Sequence, residues 1–355
     1  MTAETSIFAS AQAQVERAIQ RNLRGLGYLG SPAPVLGASG KDTIVARGPW
    51  RLYHYHPLVD EVYRVPVLLI MATTNRGYIF DMVPGQSLVE FLLLRGYDVF
   101  MVDWEAPRPE DRNLGLVDYV EEFVGGSIAE VQHVTGESDI SLVGYCMGGV
   151  LSVMWSGLHH DSGPTNLAVL TTPVDFKKMK MFQAWSDPRY FDVDRLVDTL
   201  GQVPAEMLWT SFDMLRPAGR HAANFRLYEN MWDDQYVKAH RMVERWSNDM
   251  LPLAGEYFRE TIRSLLWDNA LLEGTLKIGG RSVALDKVTS PFLHITAEHD
   301  HIVNTEASAP LIDMIGSTDK EQVVLKGGHV SLVGGPNAVK RMWPKLDQWL
   351  QEKSV

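Results

Sequence analysis

The chain has 355 residues, 45% hydrophobic and 22% charged, with a formal net charge of −11. This is a globular composition with enough length for a large core, and its acidic balance excludes a non-specific nucleic-acid binder, which needs a surplus of Lys and Arg. The single cysteine, Cys146, excludes an internal disulfide, and no run of 18 apolar residues is present to form a membrane span.

In chain order, "MTAETSIFASAQAQVERAIQRNLRGLG" lacks a basic region followed by an apolar one. It reads as a short amphipathic helix rather than a signal peptide, so a cytoplasmic location is expected. Residues 28–41, rich in Gly, Pro, Ser and Ala, read as a linker, and 43–56 as a hairpin around a Gly-Pro turn. Apolar runs then alternate with amphipathic ones. Strands are expected at 65–72, 97–104, 140–144 and 166–173, with helices at 87–96, 116–136 and from 147 to 160 between them. The rhythm breaks from about 175 to 280, a stretch rich in Trp, Met, Phe and Asp with helical spacing and no convincing strand. It resumes with strands at 291–300 and 321–329, a helix near 305–316 and a closing helix over 337–351.

Near-continuous apolar strands separated by helices indicate a mostly parallel, doubly wound α/β sheet covered on both faces. The expected organisation is an N-terminal helix and linker (1–41), an α/β core (42–175 and 281–355) and a helical cap insertion (176–280).

Cys146 stands in "LVGYCMGGVL", between an apolar strand and a helix, with Gly144 and Gly148 two residues to either side. Strand, Gly-x-nucleophile-x-Gly, helix is the nucleophile elbow of the α/β-hydrolase fold, here with cysteine in the place of serine. The glycines suit a strained turn in which strand and helix pack too closely for side chains. The helix N-terminus presents unpaired N–H groups and a positive dipole end at the sulfur.

Such a nucleophile needs an acid and then a base further along the chain. Glu298 and Asp300 both follow the late strand "FLHIT", and His329 follows "VVLKGG", so all three lie past the C-terminal ends of strands where ligands bind in parallel sheets. His329 is the best base among the 11 histidines. His54 and His56 read as a partly exposed strand face, His159 and His160 as helix-end cations, and His299 and His301 as neighbours of the acid. An oxyanion hole is expected from the Met147 N–H and a donor in Thr73–Arg76, with Asn75 as the side-chain candidate. Trp209, Phe212, Met214 and Trp246 read individually as packing residues of the cap. No cluster has zinc spacing, so neither a metal nor a resident cofactor is expected.

With these residues in view, the chain resembles the polyhydroxyalkanoate synthases from about residue 40 to its end. The resemblance rests on "VPVLLIMATTNRGYIFDMVPGQSLVEFLLLRGYDVFMVDWEAP", on "GYCMGG" as a cysteine lipase box, and on "TTPVDF", "ERWSNDMLPLAG", "FLHITAEHDHIVN" and "GGHVSLVGG". Glu105 and Asn304 stand where the family usually has Gly and Pro, and Tyr145 and Met147 depart from the variable positions of the best-known two-component enzymes.

The resemblance implies Cys146 as nucleophile, Asp300 as acid and His329 as base. It also implies an acyltransferase that polymerises (R)-3-hydroxyacyl-coenzyme A into polyester through a Cys thioester, with the coenzyme A thioester as substrate rather than cofactor. By length the chain looks like the short, two-component type (class III). That type implies a second, non-catalytic subunit, a homo-oligomer with a dimer favoured, and a place at the surface of a polyester granule. The competing readings are an intracellular polyester depolymerase or thioesterase with the same triad, and a non-catalytic granule-associated subunit.

Overall fold

The computed structural model describes residues 3–30 and 35–354; residues 31–34 of the expected linker lie outside the described residues. Helix α1 (Ala3–Gly30) is followed by a hairpin of β1 (Lys41–Arg47) and β2 (Trp50–Tyr55) that turns at Gly48, whose φ of +49° suits a residue without Cβ. The core then runs through β3 (Val67–Ile70), α2 (Leu88–Leu93), β4 (Val99–Trp104), α3 (Gly126–Thr135), β5 (Ser141–Tyr145), α4 (Met147–Leu158) and β6 (Asn166–Leu170). Strands β3 to β6 are buried along their whole length, which is why they read as unbroken apolar runs rather than as alternation.

The helix expected over 116–136 is not uniform. Asp118–Gly125 forms wide π-helical turns, and α-helical geometry begins only at Gly126. A Cβ at Gly125 would stand 2.9 Å from the Trp155 indole nitrogen and one at Gly126 2.8 Å from the Trp50 ring. Two indoles therefore press on this backbone where the ladder changes.

Residues 176–280 hold α5 (Lys180–Trp185), α6 (Val193–Leu200), β7 (Gln202–Val203), α7 (Ala205–Met214), α8 (Gly219–Glu229), α9 (Asp234–Asn248), β8 (Leu253–Ala254) and α10 (Gly255–Glu260), then β9 (Lys277–Ile278) and β10 (Arg281–Ser282) at the exit. The strands here pair as β7 with β8 and β9 with β10, two residues each, too short to leave an alternating pattern in the sequence. The core closes with β11 (Phe292–Ala297), α11 (Thr305–Ser308), α12 (Leu311–Met314), β12 (Lys320–Leu325), α13 (His329–Val333), α14 (Pro336–Lys340) and α15 (Met342–Gln351). Helix α13 begins at the histidine that sequence reading had placed at a strand end.

The strands form one sheet in the order β1-β2-β4-β3-β5-β6-β11-β12, parallel from β4 to β12, with the hairpin added antiparallel on β4. From β3 the chain moves outward to β4, and from β5 it moves the opposite way to β6. The C-terminal ends of β3 and β5 therefore border the crevice where the strand order reverses, the place such sheets bind ligands.

The segment holding α5–α10 is pinned over this crevice beside the end of α9. The Trp246 indole donates to the Arg76 carbonyl at 2.8 Å, the Leu251 N–H to the Thr74 carbonyl at 2.8 Å, and the Tyr78 hydroxyl to Asp249 at 3.0 Å. Helix α1 lies against the outer side, with Arg17 over the Trp232 ring and Arg21 over the Tyr228 ring. Trp246 is 5% exposed, so its bond is shielded from water. Trp246→Phe keeps most of the ring but orphans the Arg76 carbonyl, and urea denaturation is expected to show a loss of about 1–2 kcal/mol.

Candidate active site

Cys146 links β5 directly to α4 with φ 53° and ψ −119°, a conformation that side chains rarely adopt. Its N–H donates to the Leu170 carbonyl at 2.9 Å and its own carbonyl accepts from the Val150 N–H at 3.1 Å, so the strained residue is held from both sides. The crowding that requires glycine is severe. A Cβ on Gly144 would lie 2.5 Å from the Gly149 Cα, and one on Gly148 only 2.1 Å from the Ile70 carbonyl oxygen. Gly149, which the elbow pattern does not single out, is as constrained, with Thr172 Oγ1 1.9 Å from where its Cβ would be. The result is a half-buried thiol at the N-terminus of a twelve-residue helix.

Of the two candidate acids, the structure brings Asp300 and not Glu298 to the histidine. Asp300 Oδ2 meets His329 Nδ1 at 2.6 Å, with both side chains buried. The other Asp300 oxygen accepts from the N–H groups of Ile302 and Val303, each at 2.8 Å, which fixes the carboxylate. Glu298 is exposed and faces His299. The two loops are tied together, the Glu298 N–H donating to the Leu325 carbonyl at 2.9 Å and the His299 N–H to the Gly327 carbonyl at 2.8 Å.

Burial pulls the His329 pKa down, but the opposing charges and hydrogen bonds of Asp300 and Cys146 outweigh it and raise the ring to about 10. With Nδ1 engaged by Asp300, Nε2 is the nitrogen left for the thiol. The Tyr145 ring lies 5.1 Å from the imidazole and its hydroxyl donates to the His329 carbonyl at 3.4 Å, closing the site beneath.

Above these groups is a cavity of about 400 Å³, bounded below by Met71, Tyr145, Cys146 and His329 and above by α7, α8 and α9. Trp209, Phe212 and Trp246, read from sequence as packing residues, all line it, whereas Met214 points to solvent. Asn75 also lines it, but its amide donates to the Trp246 carbonyl at 3.5 Å and its backbone bridges to Met250, so it is engaged in holding the end of α9. The turn behind it is set by buried Asp103, which accepts from the Gly77 N–H at 2.6 Å. Tyr257, which no sequence pattern marks, is buried within electrostatic reach of Cys146 and hydrogen-bonds Thr73 at 3.2 Å. Stacking on Tyr119 at 4.1 Å holds it there.

Three of the other histidines take ordinary partners. His54 meets Asp98 at 2.7 Å and stacks on Phe100, His56 meets Asp42 at 3.2 Å, and His159 meets Glu121 at 2.9 Å. Among the described residues no group of three or more His, Cys, Asp or Glu could hold a metal ion.

Comparison with known proteins gives two family models. One, the alpha/beta hydrolase fold, matches residues 66–336; the other, the poly-beta-hydroxybutyrate polymerase (PhaC) N-terminus, matches 38–92. The poly(3-hydroxyalkanoate) polymerase subunit PhaC of Allochromatium vinosum is 33% identical over 89% of this chain and 90% of its own length. Subunits of the same name from Haloferax mediterranei and Haloarcula marismortui are 31% and 32% identical over 90% and 83% of this chain, which spans 65% and 62% of their lengths. Among solved structures, a putative lipase from Sulfolobus solfataricus superposes with a TM-score of 0.56 at 16% identity, covering 90% of this chain and 97% of that one. A thermophilic esterase from Thermogutta terrifontis superposes at 0.52 and 14% identity, covering 90% and 100%.

Two outcomes follow from the geometry. Gly148→Ala is expected to lower the thermal midpoint by several degrees, overpacking costing about 1–3 kcal/mol; Gly27→Ala, in a helix with nothing within 4 Å of the added carbon, is the uncrowded control and leaves the midpoint unchanged or raised. A histidine whose pKa is higher folded than unfolded adds stability that is complete below about pH 6.5 and is lost as pH rises toward the folded value. The stability advantage of the wild type over Asp300→Asn should therefore be largest near about pH 6 and smaller by about pH 9.5 in urea unfolding. A gap independent of pH would overturn this account of the pair.

Proposed function

Because the chain belongs to the family of poly(3-hydroxyalkanoate) polymerase PhaC subunits on the α/β-hydrolase fold, we propose that it polymerises (R)-3-hydroxyacyl-coenzyme A into polyester with release of coenzyme A. The observation that carries the proposal is a lone cysteine in a strained elbow, facing a histidine that a buried carboxylate holds by a 2.6 Å bond, beneath a mainly apolar cavity.

In this reading His329 takes the Cys146 proton at Nε2 as the sulfur attacks the thioester carbonyl. The charges of Asp300 and Cys146 that raise the ring to about 10 favour the imidazolium that holds this proton. The N–H of Met147, first in α4, and a donor in Thr73–Arg76 serve the oxyanion. Gly144 and Gly148 serve by letting the helix approach. The C–S bond to coenzyme A breaks, its thiolate recovers the proton from His329, and the acyl group rests on Cys146.

One thioester replaces another, so the activation needed for the next bond is kept, which an acyl-serine would discard. The 3-hydroxyl of a second hydroxyacyl-coenzyme A, losing its proton to His329, then attacks the Cys146 thioester. An ester forms and the sulfur leaves. The lengthened acyl-coenzyme A can acylate Cys146 again with release of coenzyme A. Asp300 holds the ring with Nε2 toward the reaction and stabilises the imidazolium. The cap supports this chemistry by screening the thioester from water.

The proposal extends to a second, non-catalytic subunit, a homodimer and a place on the surface of a polyester granule. It draws on the relatives' designation as subunits. It includes the division into a helical segment 1–41, a core of 42–175 and 281–355, and a cap of 176–280. No helix among the described residues is long and apolar enough to cross a membrane.

The test is to mix the purified chain with (R)-3-hydroxybutyryl-coenzyme A and follow thiol release and product size together. Thiol release with insoluble polyester is expected, and a loss of about 10³-fold or more in Cys146→Ala. Undiminished turnover in that variant would sink the mechanism. Release of free hydroxy acid alone would make the chain a hydrolase with the same three residues. If release appears only when a second subunit is added, the two-component arrangement stands.

A further inference from the structure

The turn after β3 shares the cavity with Cys146, since Met71, Ala72, Thr74 and Asn75 all line it. Thr73, in the middle of this run, does not. It is buried, and its hydroxyl meets the Tyr257 hydroxyl at 3.2 Å. The turn is fixed on either side of it. The Trp104 indole donates to the Met71 carbonyl at 2.9 Å, and the Leu251 N–H to the Thr74 carbonyl at 2.8 Å. Between these points the only hydrogen bond at Thr73 among the described residues is the one to Tyr257. The N–H groups of Thr73 and Thr74 have no partner among the described residues, so this stretch has backbone donors to offer.

Tyr257 is itself immobilised. It belongs to α10, is buried, and its N–H donates to the Leu114 carbonyl at 2.8 Å. Its ring stacks on Tyr119 at 4.1 Å, and Tyr119 in turn packs on Trp104 at 5.3 Å and Phe123 at 5.2 Å. One aromatic cluster therefore holds the turn twice, at Met71 through the Trp104 indole and at Thr73 through the Tyr257 hydroxyl. The second tether is the weaker built, because a single bond between two neutral hydroxyls carries it.

Resting on the reading of Cys146 as the acyl carrier, we propose that Tyr257 is a positioning residue for acylation. Through the Thr73 hydroxyl it holds the turn after β3 so that the turn's free N–H groups meet the oxyanion formed as Cys146 is acylated. Such donors act only when they are already aimed at the place where charge develops, and small misplacements are costly. Tyr257 touches no substrate and moves no proton in this role. Its contribution is to keep the turn from relaxing away from the elbow when negative charge appears on the carbonyl oxygen.

The test compares two reactions of one sulfur, which the single cysteine of the chain makes unambiguous. Alkylation of Cys146 by iodoacetamide displaces iodide and forms no oxyanion. Acylation by 4-nitrophenyl butyrate passes through a tetrahedral oxyanion and releases 4-nitrophenolate. Both rates are measured in single turnover. Tyr257→Phe, which keeps the ring stack, is expected to slow acylation about tenfold, less than the loss of a whole oxyanion donor, and alkylation by less than about twofold. Thr73→Val removes the same bond from its other end and should match it, which also keeps the test open if the Phe variant does not fold. The double variant should be no slower than either single one, and Thr73→Ser, which keeps the hydroxyl, should recover most of the rate. Unchanged acylation in the single variants, equal slowing of both reactions, additive losses in the double variant, or a wild type that the ester does not acylate would overturn the proposal. Failure of the functional reading is seen separately, as absence of thiol release from (R)-3-hydroxybutyryl-coenzyme A by the wild type.

Discussion

The closeness of α4 to the ends of β3 and β5 sets the geometry of everything at the cavity floor. Gly144, Gly148 and Gly149 sit where any Cβ would enter the space of Gly149 Cα, the Ile70 carbonyl or Thr172 Oγ1. That approach forces the left-handed conformation on Cys146 and raises its side chain out of the strand-to-helix turn. It also sets the thiol at the N-terminus of α4, so strain, dipole and exposure arise from one packing contact. A looser helix would release the strain and lose the placement of the thiol with it.

Around this point the electrostatics are arranged by burial. His329 and Asp300 have almost no solvent to share their interaction, and Asp300 is fixed by two backbone N–H groups before it meets the ring. In a low-dielectric setting the carboxylate can overcome the desolvation that would otherwise keep the imidazole neutral. His240 shows the converse within the same cavity. It has no carboxylate hydrogen-bonded to it, burial prevails and the ring stays uncharged. One cavity wall thus holds a histidine whose charged form is favoured and another that burial keeps neutral.

Helices α7, α8 and α9 make this arrangement a chamber. Their bonds to the core cluster at Thr74–Tyr78 on one side and Trp246–Leu251 on the other. The loop that follows β3 therefore serves twice, facing Cys146 and anchoring the cover. Asn75 illustrates the economy: it lines the cavity, yet its amide is committed to the Trp246 carbonyl. Tyr257 belongs to the same seam, reaching Thr73 while stacked on Tyr119 of the core.

Much of this was legible in the sequence, because it follows from local rules. Apolar runs of strand length mark buried parallel strands, and glycines two residues either side of Cys146 mark a turn too tight for side chains. The order nucleophile, acid, base follows from strands whose ends meet at one edge. The residues alone left Glu298 and Asp300 both open, since two carboxylates two positions apart differ only in which way a loop folds. The π-helical start of the helix before β5 was hidden for a related reason: it answers to Trp50 and Trp155, distant in sequence. Trp209, Phe212 and Trp246 could not be told from packing residues, and nothing marked Tyr257. Their roles depend on which helix face turns toward the cavity, and that is decided by how the cap docks on the core. Sequence by itself determined the elements and the elbow cysteine, which local sterics and periodicity encode; tertiary structure alone decided what surrounds that cysteine, because those contacts join segments far apart along the chain.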